Sequence, residues 1–283
     1  MASDHDQQRL RATGHGVLNH LLGGACGGAV GKTITAPLDR VKIIYQTGRD
    51  RFNLRRSLAT VHHIASHEGL SALWRGHTAT LARVAPYAGM HFAAHDALDR
   101  ALEQRLPGVG SAQTARRFVA GAGAGVFATV TTYPLDVLRA RFAVQRGRSI
   151  RLRDALRGNL YSGVGPTMMG IVPYAGITWA TYLALVDVMP ESDRFWAGAV
   201  AGLAGQTVTY PLDVARRRMQ TGATGSALSV LRQAWLTEGP RALFKGVSLA
   251  WCKGPPASAA AFAVHEQIAS SLDRAFEQGR SAE

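Results

Sequence analysis

Three times the chain spells proline, any residue, aspartate, two more residues, then a base. The copies are Pro37-Leu38-Asp39-Arg40-Val41-Lys42, Pro134-Leu135-Asp136-Val137-Leu138-Arg139 and Pro211-Leu212-Asp213-Val214-Ala215-Arg216. Two glycines precede each copy at fixed offsets, 13 and 9 residues before the proline: Gly24 and Gly28, Gly121 and Gly125, Gly198 and Gly202. One such hexapeptide says little. Three in register, each with its glycines, are an internal repeat, and a repeat has to be recognised before a fold is assigned. The prolines lie 97 and 77 residues apart, so the 283 residues divide into three repeats, which we set at 16–102, 114–188 and 192–272.

Composition says where such repeats can live. Apolar residues make up 47% of the chain, yet its net charge is +13, and the two are segregated into blocks. Phe118–Leu135 and Phe195–Leu212 run 18 residues each without a charge, and Gly158–Val186 runs 29. Helices of that length cross a hydrocarbon layer of about 30 Å. Val17–Ala36, Gly76–His95 and Gly246–His265 carry one charge each: Lys32, Arg83 and Lys253. The expected fold is therefore an all-α membrane protein, with six transmembrane helices in three pseudo-symmetric hairpins joined by short surface helices. Spaced glycines suit close helix contact in lipid. Pro37 is expected to kink its helix, which then continues to Gln46. Residues 1–15 are polar and expected to be loose. Asn53–His67 and Ala227–Leu236 read as amphipathic surface helices. The second connection differs: it carries Arg146, Arg148, Arg151, Arg153 and Arg157, and its shorter spacing predicts a shorter surface helix. Cys26 and Cys252 fall in apolar segments and read as small buried residues of a reducing compartment, not as a disulfide framework.

With Glu68-Gly69-x-x-x-x-Trp74-Arg75-Gly76 and Glu238-Gly239-x-x-x-x-Phe244-Lys245-Gly246, this pattern resembles the mitochondrial carrier family over nearly the whole chain. In the second repeat Tyr161-Ser162-Gly163 is the nearest remnant of that element. The resemblance implies an alternating-access carrier, in which the acid of one repeat pairs with the base of the next to close the matrix side. Here those pairs are Asp39 with Arg139, Asp136 with Arg216, and Asp213 with Lys42. Charges so deep cost several kcal/mol unless paired or wet, which is why they face the bundle interior. Gln46 and Gln220 match the family's bracing glutamines, while the second repeat has Ala143 at that position. The cytoplasmic counterpart is degenerate. It retains Asp96 and Glu266, no base at the three expected positions, and no acid in the second repeat, so closure there is expected to rely on apolar packing.

The substrate contacts that the resemblance implies are Arg83, Gly170-Ile171 and Lys253, at equivalent positions on the even helices. This is the combination seen in carriers of adenine nucleotides, and Val172-Pro173-Tyr174-Ala175-Gly176 with Phe92-Ala93-Ala94-His95-Asp96 is similar to the coenzyme A branch. Gly170 leaves room for a planar base beside Ile171, and Tyr174 can stack on it. Lys32 adds a third base, and its counterparts Thr129 and Gln206 are neutral, so the cavity is expected to attract a polyanion. The expected function is antiport of an adenine nucleotide derivative, coenzyme A against ADP or adenosine 3′,5′-diphosphate, by a monomer in the mitochondrial inner membrane. The alternatives are ADP/ATP, ATP-Mg/phosphate, thiamine pyrophosphate or NAD carriage, a small-anion or uncoupling type, and a peroxisomal membrane. Trp74-Arg75-Gly76 and Phe244-Lys245-Gly246 resemble cardiolipin-binding helix ends. Anionic lipid accounts for the basic loops without nucleic acid. No cofactor or metal is expected, and no nucleophile–base constellation points to an enzyme.

Overall fold

The computed structural model describes residues 4–105, 111–147, 151–191 and 194–281, and among these there is no strand. In chain order the helices are α1 (Asp4–Thr47), α2 (Leu54–Glu68), α3 (His77–Arg105), α4 (Ser111–Ala143), α5 (Leu152–Ala155), α6 (Val164–Val186), α7 (Arg194–Gln220), α8 (Ala227–Glu238) and α9 (Val247–Ser281). Among the described residues two stretches, Arg116–Ala143 and Val164–Val186, are long and apolar enough by composition alone to cross a membrane. The other long helices carry the glycines and single charges that dilute this signal. Arg148 of the basic connection lies outside the described residues.

The chain forms two compact units. One comprises residues 1–37 and 252–283, the other residues 38–251. In the first unit α1 and α9 meet backbone to backbone. A Cβ on Gly27 would stand 2.3 Å from the carbonyl oxygen of Ala261, and one on Gly31 would stand 2.5 Å from that of Ala257. Small residues four apart on both helices permit this approach, the usual device where lipid offers no hydrophobic drive between helices. Residues 4–15, expected to be loose, belong to α1. No proline precedes Pro37, and each residue added to an existing helix gains a hydrogen bond. Cys26 and Cys252 are exposed, not buried. A small apolar side chain sits as well against hydrocarbon as in a core.

In the second unit α3 packs along α4, and α6 along α7. The contact stripes are small: Ala120, Ala124 and Ala128 on α4, and Ala197, Ala201 and Gly205 on α7, most with no exposed surface. The opposite faces present Phe127, Val130, Trp179, Trp196 and Val208 outward, while Arg40, Gln46, Asp136 and Gln220 are buried. Apolar residues outside and polar ones inside are the arrangement that a lipid solvent selects. Pro134 and Pro211 lie inside unbroken helices, as does Pro37 in α1.

Asn53 caps α2, its side chain accepting from the Arg55 amide, and Ser226 caps α8. Val41, Ile44, Tyr45, Ile64, Leu73 and Leu249 form the apolar cluster that seats α2. The second surface helix, α5, has four residues against 15 and 12 for its counterparts. Gly76, Gly163 and Gly246 all take φ +83°, and each presses on the backbone or side chain of the next repeat's base-bearing residue. A Cβ on Gly76 would lie 2.7 Å from the Arg139 carbonyl oxygen, one on Gly163 2.8 Å from that of Arg216, and one on Gly246 3.2 Å from Lys42 Cγ. Tyr161-Ser162-Gly163 thus fills the same structural place as Trp74-Arg75-Gly76, and only glycine combines this φ with this approach.

Candidate functional site

The ends of α1, α4 and α7 converge in the second unit and bring the repeated acids and bases together. Arg139 Nη2 donates to Asp39 Oδ2 at 2.6 Å, Arg216 Nη2 to Asp136 Oδ2 at 2.7 Å, and Lys42 Nζ to Asp213 Oδ2 at 2.8 Å. Each aspartate sits inside a helix, two residues past the proline, so its side chain points across the seam toward a base on the neighbouring helix.

Gln220 Nε2 donates to Asp136 at 2.7 Å and to the Tyr133 hydroxyl at 3.1 Å. Gln46 Nε2 does the same to Asp213 and Tyr210, both at 3.1 Å. Sequence reasoning missed the two tyrosines. Each immediately precedes a proline, and each ring also lies under a base, Lys42 at 4.9 Å from Tyr210 and Arg216 at 5.8 Å from Tyr133. The first repeat has Ala36 there, and the second repeat has Ala143 where the others have the bracing glutamine. Tyrosine and glutamine occur together here, the tyrosine hydroxyl accepting one N–H of the glutamine while the other goes to the aspartate.

Asp136 is the most crowded acid. Besides Arg216 it receives Arg217 Nη1 at 3.2 Å, and Arg83 Nη1 lies 3.5 Å from its other oxygen. Arg217 also donates to Gln220 Oε1 at 2.8 Å, which orients the amide toward Asp136. Arg83 Nε further donates to Thr132 Oγ1 at 3.0 Å, and its guanidinium covers the Tyr87 ring at 4.9 Å. Sequence position placed Arg83 among the bases of the cavity, as a free contact for substrate. In the structure its side chain crosses from α3 to α4, where it meets both Thr132 and Asp136. Lys32 and Lys253, in the first unit, also have partners.

Gly170 and Ile171 are half-buried on α6. A Cβ on Gly170 would meet only Leu212, at 3.8 Å, so the space beside it is open to one more carbon. Tyr174 is 44% exposed, and its ring edge rests on Gly205 of α7. It is therefore partly a packing residue. Toward the other end of these helices, Asp96 is exposed and pairs with Arg100 on its own helix. Glu266 is exposed on α9. A base the repeat pattern does not contain, Arg116 of α4, reaches Asp99 at 3.1 Å and Glu103 at 2.9 Å on α3. The acid of Asp99 was visible in the sequence, but its partner comes from outside the repeated positions.

The two basic residues of the helix ends compared with cardiolipin sites, Arg75 and Lys245, have partners within the protein. Arg75 donates to Glu68 at 2.7 Å, and Lys245 pairs with Glu238 and donates to the Gly48 carbonyl at 3.0 Å. Burial alone would raise the Glu238 carboxyl, but hydrogen bonds from Arg218 and Lys245 outweigh it and hold the group below the ordinary glutamate range. Glu68 is held low in the same way, chiefly by Arg40. A groove of about 680 Å³ opens beside them, lined by Arg51, Phe52, Pro240, Arg241 and Phe244 among others.

A family model described as mitochondrial carrier protein matches residues 14–106, 110–193 and 189–275, one match per repeat. The chain belongs to the mitochondrial carrier family. Among its curated relatives, the mitochondrial coenzyme A transporter SLC25A42 of Xenopus tropicalis is 41% identical over 271 residues, covering 87% of this chain and 83% of the relative. That of Homo sapiens is 42% identical, covering 87% and 85%. The mitochondrial carrier protein CoAc2 of Zea mays is 34% identical over 288 residues, covering 89% and 85%. As a member of this family the protein is a membrane transporter, and its all-helical fold is the carrier fold.

Proposed function

We propose that this carrier exchanges coenzyme A for another adenine nucleotide, such as ADP or adenosine 3′,5′-diphosphate, across the mitochondrial inner membrane. The observation that carries the reading is the similarity, over almost the full length, to proteins named for coenzyme A transport. The local chemistry agrees with it. Arg83, Arg216 and Arg217 surround a single carboxylate, Asp136. Three cations on one anion leave a surplus of positive charge inside the protein, which favours a polyanionic ligand.

Arg83 is assigned to a phosphate of the substrate, with Lys32 and Lys253 given the same part by their register. Gly170, Ile171 and Tyr174 are assigned to the adenine. The three acid–base pairs and the two glutamine braces act as the matrix gate. Phosphate and Asp136 then compete for Arg83. A bound phosphate draws Arg83 off Asp136 and, as a second anion beside it, competes with that carboxylate for Arg216. Bonds from the protein to the substrate offset the ion pairs that break in the gate, so the switch is fast only when a substrate is bound. Asp96 and Glu266 serve only weakly at the cytoplasmic side. The carrier works as a monomer, with cardiolipin headgroups at the helix ends that follow Trp74-Arg75-Gly76 and Phe244-Lys245-Gly246.

Reconstitution in liposomes tests this reading. Labelled coenzyme A is expected to exchange with internal ADP or adenosine 3′,5′-diphosphate. Arg83→Ala should cost one desolvated phosphate contact, roughly 1.5–3 kcal/mol, and so slow exchange at least about tenfold. Gly170→Leu should harm nucleotides more than pyrophosphate. Exchange of dicarboxylates or amino acids, with coenzyme A, ADP and adenosine 3′,5′-diphosphate all ignored, would overturn it.

A further inference from the structure

Outside the acid–base pairs, three other arginines join the same helix ends in the opposite sense. Each long helix of this group ends with carbonyls that have no partner in the helix and that carry its negative dipole end. The carbonyl nine residues after the repeat proline is capped in all three cases by a guanidinium Nε from another repeat. Arg40 donates to the Ala143 carbonyl at 3.1 Å, Arg141 to that of Gln220 at 3.3 Å, and Arg218 to that of Gln46 at 3.0 Å. The acid–base pairs reach from the base of one repeat to the acid of the repeat before it. These bonds reach from the arginine of one repeat to the carbonyl of the repeat after it. Every seam is therefore stitched in both directions.

The remaining guanidinium nitrogens hold the arginine's own repeat. Arg218 takes both oxygens of Glu238, at 2.7 and 2.9 Å. Arg40 takes Glu68 at 3.1 Å and the Ala72 carbonyl at 2.5 Å, and also reaches the Gln145 carbonyl across the seam. The second repeat has no such glutamate, and Arg141 binds the carbonyls of Ala155, Arg157 and Asn159 instead. The repeat register alone does not show this ring. Arg141 and Arg218 lie seven residues after their prolines, where the first repeat has Ile44. Its arginine comes one turn earlier, at Arg40, where the others have Val137 and Val214. One arginine and one apolar residue have exchanged places on the same helix face, and both Arg40 and Ile44 are buried.

We propose that Arg40, Arg141 and Arg218 form an outer closure ring that positions the matrix gate, with Arg40 standing in for the missing arginine at position 44. On opening, each arginine keeps its own surface segment and releases the neighbour's carbonyl. The ring holds the empty carrier closed, so its loss turns obligatory exchange into net leak. This rests on the exchange reading above, and the wild-type exchange measurement separates the two: no exchange of any nucleotide faults that reading, not the ring.

The test uses liposomes loaded with labelled nucleotide and diluted into nucleotide-free buffer. Wild-type protein should retain its load. Arg40→Ala should release it about tenfold faster, the factor expected for one lost charge-assisted bond. Transposing the pair, Arg40→Val with Ile44→Arg, should restore retention, because the guanidinium is returned to the register of the other repeats. Arg40→Lys should not, since one ammonium cannot reach acceptors on both sides of the seam. Should Arg40→Ala fail to fold, Arg218→Ala and the transposed double variant decide the matter. Retention equal to wild type in folded Arg40→Ala and Arg218→Ala, or a transposed variant that leaks as much as Arg40→Ala, would overturn the proposal.

Discussion

Asp136→Asn is expected to destabilise this protein more than the same change at either of the other two repeat aspartates. Asp136 is 2% exposed and accepts from Arg216, Arg217 and Gln220, with Arg83 facing its second oxygen. Asparagine keeps the shape but removes the carboxylate that three guanidinium groups share. Removing one partner of a buried pair costs about 3–5 kcal/mol, because the other charges stay buried without it. Asp39 is 14% exposed and accepts from Arg139. Losing one charge-assisted bond there corresponds to about 1.5–3 kcal/mol. Asp213 has Lys42 and Gln46 but is 28% exposed, so water compensates in part and it should fall near Asp39. For a chain of this size about 2 °C of apparent midpoint accompanies each kcal/mol, which gives a fall of roughly 6–10 °C for Asp136→Asn and 3–6 °C for Asp39→Asn. Tryptophan fluorescence of purified protein in detergent, at one scan rate, measures this; the chain has five tryptophans. If Asp39→Asn lowers the midpoint as far as Asp136→Asn, the convergence of charges on Asp136 does not govern stability and the argument fails.

Two further outcomes follow from the surface segments. Glu238 is held below the ordinary glutamate range in the folded protein, so its contribution is present above that range and lost as pH falls through the folded value. The midpoint difference between wild type and Glu238→Gln should therefore be largest at neutral pH and shrink on acidification below the ordinary glutamate value; a difference constant from pH 7 downward would contradict the sign. Gly163→Ala should lower the midpoint more than Gly147→Ala. Both glycines have positive φ, at a cost of about 1–2 kcal/mol for alanine, but only at Gly163 would the new carbon meet a backbone oxygen, at 2.8 Å. Equal losses in the same fluorescence assay would mean that the approach to Arg216 is relaxed.

The sequence by itself determined the helical class, the three repeats and the neighbourhoods of Asp39, Asp136 and Asp213. It could do so because these depend on things a linear pattern carries: hydrophobic length against bilayer thickness, and charges too costly to bury singly, recurring at one spacing. It also carried the short α5, through the reduced distance between Pro134 and Gly170. Departures from the repeat were what it could not carry. Arg83 reaches Asp136 because a long flexible side chain crosses from α3 to α4, and Arg40 replaces an arginine at position 44 because two positions on one helix face point to the same seam. Tyr133 and Tyr210 matter through glutamines 87 and 164 residues away. Arg116 finds Asp99 with no repeated motif to announce it. Such pairings depend on where side-chain ends meet in three dimensions, and only the packed helices, with the distances between them, decided which polar groups satisfy one another.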